Sequence, residues 1–232
     1  MKHLIETTNP SGLAITEYDR LILNSSTNDV IVKGGGYVDL GLPSGLKWAK
    51  CNVGAETETD YGYYFQWGDI EDKSKSDCSW QSYKYGDGSN KTLTKYIYSS
   101  FGSYDENPDN KFTLDLEDDA ARVHMGGVWR MPTSSEFQEL IDNTTNAWVT
   151  INGVSGRKFT SRADTSKYIF FPAAGHRSGS SFFRQGSDGD IWSSSLSDIS
   201  PRAAFYLGFG PSGGRMYTEN RDYGLSVRGV CK

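Results

Sequence analysis

The second half of the chain is a succession of short segments rich in β-branched and aromatic residues, and Gly, Ser, Asp or Asn separates each segment from the next. Segments of about four to eight such residues are typical of strands and are too short for stable helices. The predicted strands in this half are 148–151, 157–161, 168–171, 190–195, 203–209 and 224–230. The sequence therefore predicts several short twisted antiparallel strands.

The first half adds two predicted helices and three further strands. The helix predicted at 116–124 has acidic residues in its first turn and basic groups in its last, which suits the helix dipole. The helix predicted at 132–142 begins with Thr133 and Glu136 at the spacing of a capping box. The additional strands are predicted at 37–40, 46–51 and 61–68. Two helices and many short twisted strands predict an α+β domain.

Composition limits the partners that such a chain can take. Its 24 basic and 29 acidic side chains alternate in sign and give a net charge of −5, so the concentrated basic face that nucleic acid requires is not expected. The longest apolar run, 168–174, is far shorter than a membrane span, so membrane insertion is not expected either. Residues 1–10 lack the apolar core of a signal peptide, so no signal peptide is predicted in this chain.

Residues 1–36 are interpreted as an N-terminal arm. Two apolar stretches, 19–24 and 29–33, are predicted to be short strands, and the three glycines at 34–36 form a joint without side chains. The arm is either a β-hairpin added to the main domain or an attachment or oligomerisation element that could hold a homotrimer. The main domain is predicted to be 37–232.

Catalytic and zinc sites are not predicted. Three histidines, His3, His124 and His176, are far apart in the sequence, and no nucleophile elbow accompanies them. The three cysteines are widely spaced, which fits neither a disulfide framework nor a zinc site, so free buried thiols are expected. No cofactor is expected.

One loop partly matches a calcium site. Asp105, Asn107 and Asp109 occupy alternate positions, as the first ligands of a calcium loop do. Asn110 stands where the turn requires Gly, however, and Leu116 stands where a bidentate Glu is needed. A solvated loop without metal is the preferred interpretation.

The last third of the chain uses a restricted set of side chains. No lysine occurs between Lys167 and Lys232, although arginine continues throughout. Between residues 187 and 230, Lys and Gln are absent, and Met, Trp and Glu occur once each. All the rest can be encoded by codons that end in a pyrimidine, the set reached when both adenines of an Asn codon are replaced freely. An ordinary Ser-, Gly- and Tyr-rich loop region would give the same composition, but these types also suit a binding surface.

Several motifs in the chain resemble known families. The segments 189–195 (GDIWSSS) and 221–228 (RDYGLSVR), with Ala204, Leu207 and Phe209 between them, are similar to the variable region of diversity-generating retroelement target proteins. Those proteins have a C-type lectin-like fold, and a reverse transcriptase rewrites their variable region by errors at template adenines. Further motifs are similar to the large paralogous domain family of Bacteroidetes and Fibrobacteres, whose fold is related to the formylglycine-generating enzymes. These motifs are 42–49, 61–68, 126–133 and 171–177.

The resemblance covers about residues 37–230 and implies a C-type lectin-like fold with a variable region at about 187–228. Alternation along the strands then assigns the fixed core to Trp192, Leu207, Phe209, Leu225 and Val227. The exposed, variable, ligand-contacting residues are predicted to be Asp190, Ile191, Ile199, Arg202, Ala203, Phe205, Tyr206, Gly208, Gly210, Tyr217, Asp222 and Tyr223. We expect Ser193–Ser195 to bond to the loops, and Arg221 or Arg228 to brace a carboxylate.

The function predicted is that of a receptor- or ligand-binding protein, diversified by a retroelement and displayed on a phage tail or a cell surface. Its ligand would be a variable protein or glycan of a host surface. The alternative is a bacterial surface module of the same fold without diversification, with a structural or carbohydrate-binding role. An enzyme is not expected, because Cys51 and Cys231 do not match the catalytic cysteine pair of the formylglycine-generating enzymes.

Overall fold

The computed structural model describes residues 36–98 and 108–232 in full, and the backbone of 22–23 and 30–31. The two helices are α1 (Ala120–Met125) and α2 (Ser134–Asn143). The strands are β1 (Ile22–Leu23), β2 (Val30–Ile31), β3 (Tyr37–Asp39), β4 (Lys47–Asn52), β5 (Thr144–Ile151), β6 (Val154–Ser161), β7 (Tyr168–Pro172), β8 (His176–Ser178), β9 (Ser181–Phe183), β10 (Gly189–Leu196), β11 (Ala203–Gly210), β12 (Gly213–Asn220) and β13 (Arg228–Cys231).

The described strands form small antiparallel sheets. Three of the sheets have three strands, in the orders β13-β4-β3, β5-β6-β7 and β10-β11-β12, and β8 pairs with β9. In the N-terminal arm, β1 and β2 pair antiparallel, as the two predicted strands of a hairpin would. The remainder of residues 1–35 lies outside the described residues.

The predicted fold class, α+β, is wrong. The described residues are mostly β, with 39% strand and 9% helix. The two helices exist, but α1 has six residues and α2 has ten, so they supply only a small part of the structure. Three strands, β8, β9 and β12, were not predicted from the sequence. Polar residues, and in β12 also glycines, interrupt the apolar pattern that is typical of a strand.

Helix α2 forms as its capping box predicts. Thr133 caps it by accepting from the Glu136 amide, and the Glu136 side chain accepts from the Thr133 amide. Helix α1 begins later than predicted, because Asp119 is extended and accepts from the Arg122 amide as an N-cap. The acidic residues that were predicted to lie in its first turn therefore precede the helix.

The aromatic segment 61–68 is not a strand, contrary to the prediction. It makes a single isolated bridge, from Phe65 to Leu225. Gly62 and Gly68 interrupt it with φ values of 73° and 78°, in the left-handed region that only glycine adopts easily. The predicted strand at 224–230 is likewise shorter, because regular pairing begins only at Arg228.

Two hydrophobic clusters form the core, and the sheet β10-β11-β12 contributes to both. Trp192 belongs to the cluster that contains Trp67 and Trp129, whereas its neighbour Ile191 belongs to the cluster that contains Trp48. The predicted core residues Trp192, Leu207, Phe209, Leu225 and Val227 are all buried. Among the described helices, none has the length and apolarity needed to cross a membrane.

Candidate functional site

Strand register on the sheet β10-β11-β12 separates two rows of side chains. Asp190, Gly208 and Arg215 lie opposite one another across the three strands. Two residues further along, Tyr206 pairs with the buried Trp192 on one side and with the exposed Tyr217 on the other. Because side chains alternate along a strand, both rows face the same side of the sheet. This side is called the groove face below, and the other side is called the core face.

An open groove of about 630 Å³ lies on the groove face. Both charge signs, two tyrosine rings and several glycines contribute to it, so it offers hydrogen-bonding groups together with flat apolar surface. It is lined by Arg184, Asp188, Asp190, Tyr206, Gly208, Phe209, Gly210, Ser212, Gly213, Gly214, Arg215 and Tyr217.

A stacked tyrosine pair forms one wall of the groove. The rings of Tyr206 and Tyr217 lie 5.8 Å apart at 26°, and the Arg215 guanidinium lies 4.6 Å from the Tyr217 ring centroid. Tyr206 also packs edge-on against the buried Trp192, at 6.0 Å. Burial, reinforced by the charge of Asp190, raises the pKa of Tyr206 above its usual value. Its hydroxyl therefore stays protonated near neutral pH and can donate a hydrogen bond.

Asp190 is held in place by His176 at the other side of the groove. The distance from His176 Nδ1 to Asp190 Oδ2 is 2.9 Å. The His176 ring stacks between Phe183 and Tyr223, at 5.6 Å from each and at 19°. This three-ring stack fixes the imidazole, so the Asp190 carboxylate enters the groove in a defined position.

Five of the predicted ligand-contacting residues come together in this groove. They are Asp190, Tyr206, Gly208, Gly210 and Tyr217. Four others keep some exposure but do not line the groove, namely Ile199, Arg202, Phe205 and Tyr223. Of these, Ile199 is 76% exposed, in the loop between β10 and β11.

The predicted exposure of Ile191, Ala203, Gly208, Gly210 and Asp222 is wrong, since all five are buried. Ile191 is 1% exposed, because it follows Asp190 on β10 and so faces the core, opposite Leu207. Ala203 is buried where the Ser197 amide donates to its carbonyl, which folds the β10–β11 loop against it.

Asp222 is 6% exposed, and its Oδ1 has no hydrogen-bond partner among the described residues. Its backbone carbonyl accepts from Gln66 Nε2 at 2.9 Å, which anchors the turn inside the protein. Burial raises the pKa of Asp222 to about 6. The carboxylate therefore belongs to the interior and not to the ligand-contacting surface.

Several lining residues were missed from the sequence. Arg184 follows the unpredicted strand β9 and lies before the predicted variable region. Asp188 and Arg215 lie within that region but were not selected. A usable signal was the Gly-Pro-Ser-Gly turn at 210–213, because such a turn after a strand favours a hairpin and would have brought β12 beside β11.

The buried arginines bind backbone carbonyls, so the expected carboxylate partner is wrong. Arg221 donates to the Tyr83 hydroxyl and to the carbonyls of Lys95, Tyr96 and Pro201. Arg228 donates to Asn52 Oδ1 and to the carbonyls of Ala49, Lys50 and Phe170. The serine prediction holds only for Ser194, whose Oγ donates to the Pro132 carbonyl at 3.3 Å in the loop before α2. Ser193 Oγ donates to the Phe205 carbonyl in β11 at 2.7 Å, and Ser195 Oγ accepts from the Ser134 amide in α2 at 3.1 Å.

A cluster of acidic side chains lies elsewhere in the molecule. Asp115, Glu117 and Asp118 place their carboxylates within 4.8 Å of one another. Burial opposes ionisation of Asp118, but hydrogen bonds from Lys95, Tyr96 and others outweigh it and lower the pKa of that carboxyl. Because lysines already hold these carboxylates, the cluster is explained by ion pairing.

The suspected calcium loop is described only in part, since Asp105 and Asn107 lie outside the described residues. Asp109 accepts from the amides of Tyr96 and Ile97 at 2.7 and 2.8 Å. Its carboxylate therefore stabilises the local backbone.

The cysteines and the remaining described histidine occupy structural positions. Cys51, Cys78 and Cys231 form no disulfide and are buried, as expected. Burial raises the pKa of the Cys78 thiol to about 11, which disfavours the reactive thiolate. His124 Nε2 lies 2.7 Å from the Ile70 carbonyl. These contacts give each of them a role in packing.

Comparison of the chain with models of protein families, with curated proteins and with solved structures finds no match in any of the three.

Proposed function

We propose that this protein binds a variable protein or glycan of a host surface in the groove on the sheet β10-β11-β12, and that a retroelement rewrites the residues of that groove. The observation that carries the proposal is convergence. Asp190, Tyr206, Gly208, Gly210 and Tyr217 were chosen from a codon-restricted region, and they come from three strands to line one groove. Strand pairing brings these alternate positions to one face, so the codon restriction and the groove lining coincide at the same five residues.

A diversified surface also needs a scaffold that does not depend on it. The groove residues alternate with the core residues Ile191, Leu207 and Phe209, each at most 4% exposed. Buried Arg221 and Arg228 tie the same stretch of chain to distant carbonyls. Replacing a groove side chain therefore leaves most of the stabilising contacts intact.

The proposed display site is a phage tail or a cell surface, with residues 1–36 as the anchoring or oligomerising arm and a homotrimer as the proposed assembly. Truncation at Gly36, followed by sedimentation of the full and truncated chains, tests this part. If the truncated chain forms particles with fewer chains than the full chain does, the arm is an oligomerising element. Equal association states contradict that role.

The DNA beside the gene tests the diversification directly. We expect a near-copy of the codons for residues 187–228 next to a reverse-transcriptase gene. In this copy, Asn codons should stand at the groove positions 190, 206, 208, 210 and 217, and the codons for Ile191, Leu207 and Phe209 should be unchanged. Absence of the copy contradicts the retroelement, and adenine differences confined to core codons contradict the groove as its target.

A second candidate is a carbohydrate-binding module without diversification. The observation favouring it is the lining of the groove, where aromatic rings lie beside carboxylates and guanidinium groups that can bond to hydroxyls. A glycan array probed with the full chain and with Tyr217→Ala tests it. Binding that the substitution abolishes, in a gene without a template copy, favours this candidate. No signal on the array contradicts it.

A further inference from the structure

Gly208 lies beneath the tyrosine pair in the middle of the groove. It pairs with Asp190 on one side and with Arg215 on the other. The two tyrosines occupy the adjacent row on the same face of the sheet. A Cβ atom built on Gly208 would lie 2.9 Å from Cδ2 of Tyr217 and 3.0 Å from Cε2 of Tyr206. Real Cβ atoms essentially never approach closer than 3.0 Å, so any side chain at this position forces a ring to move.

The backbone does not require glycine at position 208. The residue lies inside β11 with strands paired on both sides, and its φ lies outside the positive range that favours glycine. Glycine inside a strand costs stability, because it offers no side chain to pack and loses more entropy on folding. Room for the two rings is therefore the reason that glycine fits here.

The two rings differ in how easily they can move. Tyr206 is half-buried and packs against Trp192, whereas Tyr217 is 40% exposed on β12. Tyr217 touches Arg215 and Tyr206, and both contacts face the groove. A larger residue at 208 would therefore turn Tyr217 outward and leave Tyr206 nearly in place.

We propose that residue 208 sets the depth of the groove, and that it acts as one steric unit with residues 206 and 217. Glycine at 208 keeps the rings against the strands and the groove open, while a larger residue there is tolerated only with a smaller residue at 217. The consequence for ligand choice rests on the proposed function. The steric coupling itself does not.

A double-mutant cycle on the full chain tests the coupling without a ligand. Overpacking costs about 1–3 kcal/mol, so Gly208→Ala should lower Tm by about 2–10 °C in a chain of this size. In a Tyr217→Ala background, the same change should lower Tm by less than about a third of that amount, since the obstructing ring is gone. Equal shifts in the two backgrounds would overturn the proposal.

Gly210→Ala is the matched control. It lies on the same strand and the same face, but its added Cβ would meet Asp188 Oδ1 at 2.5 Å instead of a tyrosine ring. Its effect on Tm should be the same with and without Tyr217→Ala. If Gly210→Ala couples to Tyr217 as strongly as Gly208→Ala does, the coupling is a general property of the sheet and the proposal fails.

Folding failure is also informative. If Gly208→Ala does not fold and the double variant with Tyr217→Ala does, the coupling is supported. If neither folds, it is overturned. The outcome is separate from that of the DNA test, because a missing template copy removes the diversification and leaves the cycle unchanged, whereas an uncoupled cycle removes only the role of residue 208.

Discussion

Consecutive residues on β10 and β11 lie in two contrasting environments. On the core face, Ile191 and Leu207 lie opposite each other and pack among buried aromatic rings. On the groove face, Asp190 bonds to His176, and Tyr206 and Tyr217 stack on each other, with only Tyr206 reaching the buried Trp192. The core face is therefore held by close packing, whereas the groove face is held by a few polar and ring contacts. Of two consecutive residues on a strand, one can thus be replaceable and the next essential.

The largest effect on stability is expected from replacing a buried arginine by methionine, compared with the same replacement of an exposed arginine. Arg221→Met leaves three buried carbonyls and a tyrosine hydroxyl without their donor. We expect a loss of at least about 4 kcal/mol in the free energy of unfolding, because each unpaired buried group costs about 1–3 kcal/mol. Arg215→Met, on the exposed groove wall, should change it by no more than about 0.5 kcal/mol. Urea unfolding measures both, and similar losses would remove the contrast.

A smaller effect is expected from Ile191→Asn, a change that free rewriting of this codon would permit. Removing the buried side chain and burying an amide should cost about 3 kcal/mol. Tyr217→Asn on the groove face is the control, and we expect about 1 kcal/mol for it. Thermal and urea unfolding of the two variants decides the matter. An Ile191→Asn protein as stable as Tyr217→Asn would show that position 191 belongs to the replaceable set.

Asp222→Asn should stabilise the protein by up to about 2 kcal/mol at pH 7.5, against the trend of the first two changes. Because burial raises the pKa of the folded carboxyl to about 6, the native state binds more protons than the unfolded state between about pH 4 and 6. Wild-type stability should therefore fall as pH rises through this window, and the asparagine variant should lack that fall. Unfolding curves at pH 4.5, 6 and 7.5 test it. Parallel pH profiles would place Asp222 with the solvent-exposed groups.

A smaller change of stability than in the preceding three tests is expected from Tyr217→Ala. It removes one ring pair and one cation–π contact at the surface, worth about 1 kcal/mol together. Differential scanning calorimetry against wild type measures this. A loss above about 3 kcal/mol would mean that the groove face is part of the scaffold, and the distinction between the two faces would then be lost.

Sequence reasoning succeeded where a local rule was sufficient. The capping box at Thr133, the alternation of Leu207 and Phe209, and most of the strands after residue 147 follow from short-range patterns. It failed where pairing decides the outcome. The strand β12 is recognisable only beside β11, and Ile191 faces inward because of where β10 starts its alternation.

The fold class was misjudged for a related reason. Helices α1 and α2 were correctly predicted as helices. The strands that were not predicted make the helical share of the described residues small. Arg184 was missed because the hairpin β8–β9 reaches the groove from outside the codon-restricted region. Such long-range placement leaves no mark on composition or periodicity.

A saturation scan of residues 187–228 in the displayed full chain, sorted by resistance to protease, tests the central claim most directly. The separation of the two faces predicts that most substitutions survive at 190, 206, 215 and 217, and that only large apolar residues survive at 191, 207 and 209. Position 208 should accept fewer and smaller residues while Tyr217 is present than in a Tyr217→Ala background. The claim would be contradicted if position 191 tolerated polar residues as broadly as position 217 does.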